Sequence, residues 1–162
     1  MTPPVFKNLV TPEEVVALAY AADEHMPASA VAEADIAAAE MRSIMPVMGR
    51  ALYEAVAAGA YPELREGYAA PAAAIYVRLA MQPLSDVRTG RFGAMAPRSS
   101  GYEPAERAKL LDLRRALRAK ARTLLHRLHL HLEECASQYP EYDPASDILN
   151  RCTTDGGFVQ IH

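Results

Sequence analysis

The chain has 162 residues, about half of them apolar, with few aromatics and no tryptophan, which is enough to bury one core without metal or disulfide support. The formal charge of −3 hides an uneven layout: residues 88–127 carry +8, residues 1–87 carry −6 and residues 128–162 carry −5. Cys135 and Cys152 lie far apart without metal-ligand spacing, the N-terminus lacks a signal-peptide layout, and no apolar run approaches membrane length, so a soluble cytoplasmic chain with reduced thiols is expected.

Residues 1–10, with Pro3 and Pro4, read as an extended lead-in. Thr11-Pro12-Glu13-Glu14 then predicts a capped helix start, with Thr11 as N-cap, Pro12 first in the helix, Glu14 reaching back, and Val10 and Val15 as a hydrophobic staple. This helix is expected to end near Ala22. A second is expected from Ser29 to Ile44, with Val31, Ile36, Ala39 and Ile44 inward and the acids Glu33, Asp35 and Glu40 toward water. Pro46 predicts a break at Met45 and a new helix from Pro46 to Ala58, closed by Gly59 as its C′ residue. Within Met45-Pro46-Val47-Met48-Gly49 the methionines read as core filling and Gly49 as a close helix contact.

Pro71 opens the next predicted helix and Pro83 stops it, with Ile75 and Leu79 inside and Tyr76 and Arg78 at its rim. Residues 83–103 differ in kind: they hold Gly90, Gly93, Gly101, Pro97 and the cations Arg88, Arg91 and Arg98. Connections this long are uncommon inside compact domains and tend to be functional or disordered, and this one contains neither phosphate-cradle motif. Such a loop fits contact with phosphates or with a neighbouring subunit.

From Glu103 to Gln138 no Gly or Pro interrupts the chain after Pro104, which predicts one long helix of roughly 50 Å. Leu110, Leu113, Leu117, Ala121, Leu124, Leu128, Leu132 and Cys135 recur at steps of three and four and form one packing stripe. Arg107, Lys109, Arg115, Arg118, Lys120, Arg122 and Arg127 flank it, while Arg114 projects toward it and is the best candidate for an ion pair between helices or subunits. After this helix, Tyr139-Pro140 and Asp143-Pro144 set turns, Ala145 to Asn150 fits one short helical turn, and Phe158-Val159-Gln160-Ile161 alternates as a short strand would. That strand has no evident partner within its own chain, so Phe158, Val159 and Ile161 are candidates for pairing with another.

The histidines 126, 129 and 131 do not converge on one ion, because His131 points more than about 120° away from the other two on a helical wheel. His126, His129 and Glu133 group better but lack an H-E-x-x-H motif and a second helix of ligands, so no metal is expected. No nucleophile elbow or paired acid/base spacing is present either. The expectation is a protein that is not an enzyme and needs no cofactor.

The stretch Ile36-x-x-x-Glu40-x-x-x-Ile44-Met45-Pro46-Val47-Met48-Gly49-x-x-Leu52-Tyr53 resembles the signature of a family of phage and prophage proteins typical of gut Bacteroidetes. The long helix, with Leu128-x-x-x-Leu132 and then Tyr139-Pro140-Glu141-Tyr142, is similar to that family's C-terminal half. Such proteins look like head–tail connectors, the head-completion adaptors of tailed phages. What the resemblance implies is a structural subunit of a ring below the portal, present in the host cytoplasm and in the virion. Its implied partners are other copies of itself, a portal or tail-completion protein, and non-specific DNA passing through a channel; no membrane is implied.

The expected architecture is an all-α helical bundle of about five helices. Residues 1–138 form one domain, with the long basic loop 83–103, and residues 139–162 form an extended C-terminal arm. Arg88, Arg91, Arg98, Arg114, Arg115, Arg118 and Arg122 are the candidates for a subunit interface or DNA channel. The alternative is a helical regulator that binds nucleic acid with the basic helix 104–127.

Overall fold

A computed structural model describes residues 7–86, 88–90, 93–95 and 107–151; of residues 83–86, 88–90, 93–95 and Arg107 the backbone path alone is described. The fold is an all-α bundle. Five helices among the described residues have eight residues or more: α1 (Pro12–Ala19), α2 (Glu33–Ser43), α4 (Arg50–Ala57), α6 (Ala70–Asp86) and α7 (Arg107–Glu134). The short helices α3 (Met45–Met48), α5 (Pro62–Leu64) and α8 (Ile148–Arg151) join or end them.

The start of α1 follows its sequence. Thr11 Oγ accepts from the Glu14 N–H and the Glu14 carboxylate accepts from the Thr11 N–H, and Val10 and Val15 are both buried. The helix stops at Ala19, short of the expected Ala22, because side chains take over its last backbone groups. Arg78 donates to the Ala19 carbonyl at 2.6 Å, and the Ala21 N–H donates to Glu24 at 2.7 Å. Residues 28–30 make a single tight turn and Val31 is extended and buried, so α2 begins at Glu33 and not at Ser29.

The predicted break is present one residue early, at Ile44 between α2 and α3, and the helix expected from Pro46 to Ala58 is interrupted a second time at Gly49, between α3 and α4. Pro46 occupies the first turn of α3, where its missing N–H has no intrahelical partner to lose. Gly49 instead adopts φ 77° and ψ 153°, a conformation essentially restricted to glycine. Gly59 follows α4 at φ 108° as its C′ residue, as expected.

Residues Arg65–Ala69 form a π-helical turn leading into α6, with the Ala70 N–H bonded to the Arg65 carbonyl. Pro71 offers a cause: it has no N–H for the ordinary ladder at this point, and the wider turn re-spaces the bonds before it. Pro83 does not stop α6, whose backbone stays helical to Asp86. A proline this close to a helix end breaks one of the last bonds and leaves the body of the helix intact. Beyond α6 the expected loop contains a small antiparallel hairpin, β1 (Arg88–Gly90) against β2 (Gly93–Met95).

The bundle is assembled on α6. It packs against α1, α2 and α7, and Ala72, Ala73 and Ala74 on it are fully buried, which lets the neighbouring backbones approach closely. Ile36, Ile44, Val47, Met48, Leu52, Tyr53 and Val56 fill the core beside it. α7 closes the core with Leu117, Ala121, Leu128 and Leu132, the C-terminal part of the predicted stripe. Its 28 residues span about 42 Å, and no residue of its described N-terminal turns before Leu117 is buried.

Three expectations are corrected here. Glu40 does not face water but is fully buried, and Arg78 is buried rather than at the rim. An arm is expected from position 139, but Tyr139, Tyr142 and Asp147 are buried in the bundle, so residues 139–151 belong to its packed body, and the rest of the expected arm lies outside the described residues. Among the described residues no helix is long and apolar enough to cross a membrane.

Candidate functional site: an arginine flank and two buried carboxylates

On α7 the buried residues Leu117, Ala121, Leu128 and Leu132 define the inward direction. Arg115, Arg118 and Arg122 follow one another at steps of three and four, so they form one row beside that stripe, and all three are exposed. Their only described acid partner is Asp112, 3.3 Å from Arg115 and itself exposed. Leu111, at the head of the same row, is 45% exposed. The result is a ridge of positive charge with an uncovered apolar tip.

Arg114 is half-buried and makes no ion pair among the described residues, so the pairing expected for it inside the chain is not found there. On the opposite flank Arg127 lies over the ring of Tyr68, 4.9 Å from its centre. Arg88 is placed in β1 by its backbone. Arg91, Arg98, Phe158, Val159 and Ile161, and the Pro104 helix start, lie outside the described residues.

Glu40 is the first buried carboxylate. Its oxygens accept from the Leu9 N–H (2.9 and 3.1 Å), from the Val10 N–H (3.1 Å) and from the Tyr53 hydroxyl. Arg65 completes the grip by donating Nε to the Leu9 carbonyl at 2.8 Å while its Nη2 meets Glu14 at 2.7 Å. The segment before α1 is therefore held by both backbone groups of Leu9.

Burial pushes the Glu40 carboxyl above its ordinary value, against the lowering by Tyr53, the two backbone N–H groups and Arg65. A carboxyl with a raised folded pKa binds its proton more tightly in the folded chain. Its stabilising contribution is complete below the unfolded value of about 4.5 and is lost as pH rises through the folded value. The melting temperature of the wild type minus that of Glu40→Gln is accordingly expected to fall as pH is raised from about 4.5; a flat difference across a melting series would contradict the assignment.

Asp147 is the second. It is fully buried, accepts from the Leu149 N–H at 2.8 Å, and has Oδ2 2.8 Å from His129 Nδ1. Tyr142 places its hydroxyl 2.9 Å from the same Asp147 oxygen and 2.7 Å from Glu133 Oε1, which also accepts from Asn150 Nδ2 at 2.7 Å. Asn150 and Tyr142 hold the Glu133 carboxyl below its ordinary value, and burial together with the two carboxylates pushes the Tyr142 hydroxyl well up. These bonds clasp the turn 143–147 and α8 to α7.

The clasp rests against the break at Gly49, where an added Cβ would stand 3.3 Å from Ser146 Oγ. The close contact expected of Gly49 thus exists, with a turn as the partner in place of a helix. The three histidines diverge as their spacing predicts: His126 and His129 stack at 5.8 Å, whereas His131 stacks on Tyr68 at 4.0 Å and bonds the Tyr139 hydroxyl at 2.9 Å. Tyr61, the non-glycine residue with positive φ (52°) among the described residues, donates to Glu141 at 2.8 Å and meets Tyr139 edge-on at 5.1 Å.

The stretch from this break to the clasp is also what relates the protein to others. Residues 44–150 match the model of a family of unknown function, DUF6712. The chain belongs to this family. No curated protein and no solved structure matches it. The family span takes in α3 to α7, the Gly49 break and the Asp147 clasp up to Asn150, and leaves out α1 and α2.

Sequence reasoning placed the arginine row correctly on α7, because direction along a helix follows from spacing alone. It missed both carboxylates. A signal for Glu40 was present, since it lies four residues from Ile36 and from Ile44, on the row that both place inward. Asp147 carries no comparable signal, because its partners are brought to it by the fold.

Proposed function

We propose that this chain is a structural phage or prophage virion protein, a head–tail connector subunit that assembles into a ring below the portal. The observation that carries the reading is the exposed row Arg115, Arg118 and Arg122, with the uncovered Leu111 at its head, on a helix in which no described residue before Leu117 is fully buried. The rest of the described chain is acidic, including Glu13, Asp23, Glu33, Asp35, Glu63 and Glu66. Copies arranged head to tail around a closed ring bring unlike surfaces together at every contact, and that charge layout suits such a heterologous interface. The resemblance around Met45–Gly49 supplies the connector role, and with it the virion location and the portal partner.

Electron microscopy and light scattering of concentrated protein, alone and with its portal, test the reading. Rings are expected; a monomer under all conditions together with no portal binding would overturn it. Changing Arg115, Arg118 and Arg122 together to Glu is expected to leave folding near wild type, since exposed substitutions change stability by about 0.5 kcal/mol or less each, and to weaken assembly measured by sedimentation. Assembly at wild-type strength would remove this flank from the interface.

The same arginine row favours a second reading, a helical module that binds nucleic acid through phosphates. It requires duplex binding by the isolated chain that weakens steeply with salt and disappears in the triple Glu variant.

A further inference from the structure

We propose that His129, Glu133 and Asp147 form a binding site for one divalent cation of the zinc or manganese class, independent of any ring. His129 and Glu133 stand one turn apart on α7, and the turn before α8 brings Asp147 beside them. One ligand atom from each lies within 4.8 Å of the other two. Bonds of roughly 2.0–2.2 Å to a shared ion place ligand atoms about 3–4.4 Å apart, so shifts of less than about 1 Å close the site.

Two observations point to a cation there. The first is a count of protons. Tyr142 has one hydroxyl proton, yet its oxygen lies 2.7 Å from Glu133 Oε1 and 2.9 Å from Asp147 Oδ2, and ionised carboxylates only accept. One of these contacts sets oxygen against oxygen with no proton between them. A cation shared by the carboxylates removes that conflict, leaving Tyr142 to donate to one of them.

The second is charge. Neither Glu133 nor Asp147 is paired with a Lys or Arg among the described residues, and Asp147 is fully buried. His129 is the nearest group able to carry positive charge, and a buried carboxylate needs a counter-charge or strong hydrogen bonds. One imidazole and two carboxylates suit borderline N/O-binding ions. On binding, the Nδ1 proton that His129 donates to Asp147 is released to solvent, the ring carries its remaining proton on Nε2, and the ion takes the place of the His129–Asp147 hydrogen bond. Water fills the remaining positions, and the C-terminal turn is pinned to α7 by a metal clip.

The test is calorimetric titration of the chelator-stripped full chain with Zn2+ and, separately, Mn2+ at pH 7.5. Wild type, Glu133→Gln, His129→Gln and Cys135→Ser are compared, each checked by thermal unfolding. Glu133 is exposed, so its variant is expected to fold. Cys135 is included because its sulfur lies 3.9 Å from His131 Nδ1, a rival pair for zinc. The expected result is one ion per chain, a higher melting temperature with the ion, at least tenfold weaker binding in both Glu133→Gln and His129→Gln, and wild-type binding in Cys135→Ser. Absence of binding, wild-type affinity in either ligand variant, or loss in Cys135→Ser overturns the proposal; absence of binding would leave a bound proton to fill the gap at Tyr142.

Discussion

Glu40→Ala is expected to destabilise the chain by about 3–5 kcal/mol, the largest effect of any single substitution considered. The Leu9 and Val10 N–H groups and the Tyr53 hydroxyl all lose their acceptor. Each buried donor left unsatisfied costs about 1–3 kcal/mol, and release from burying a carboxylate offsets part of the total. The loss corresponds to a fall of roughly 10 °C or more in melting temperature. Tyr53→Phe removes one of the three bonds and is expected to cost about 1 kcal/mol. Urea unfolding of the two variants separates the contributions; equal costs would mean that the backbone N–H groups find other partners.

Gly49→Ala is expected to cost about 2–3 kcal/mol. Its φ of 77° with ψ of 153° is strained for any residue with a Cβ, by about 1–3 kcal/mol, and the added carbon would also press on Ser146 Oγ at 3.3 Å. Gly59→Ala is the comparison: φ is 108°, but nothing lies within 4 Å of the new carbon, so strain alone remains, at about 1–2 kcal/mol. Combining Gly49→Ala with Ser146→Gly should recover the contact part and leave the strain. A neutral Gly49→Ala in thermal unfolding would show that the break between α3 and α4 does not need glycine.

What was legible in the sequence is what is decided locally. The capping box at Thr11, the five long helices, the C′ glycine at position 59 and the stripe Leu117, Ala121, Leu128, Leu132 each follow from spacing or from one residue's backbone preferences. Where local rules met a tertiary demand, the tertiary demand prevailed. Glu40 was assigned to solvent by its charge, although Ile36 and Ile44 on the same row are buried and the carboxylate has three donors waiting inside. Arg78 was assigned to the rim, yet Glu24, the Ala19 carbonyl and the Tyr20 ring surround it. Tyr61 holds a left-handed backbone because Glu141 and Tyr139, some 80 positions later, fix its ring. The arginine row was legible as a direction, whereas the cluster at Asp147 depends on a turn whose path no periodicity reports.

The grip on Leu9 also bears on how members of this family can be recombined. The family span starts at residue 44, but Tyr53 inside it shares Glu40 with a backbone segment outside it, and α6 inside it is covered by α1 and α2 from outside. A stretch that can be recognised alone is therefore not one that can be exchanged alone. A chimaera that swaps residues 44–150 between relatives inherits a socket cut for one particular N-terminal segment, and positions 9–43 have to travel with it.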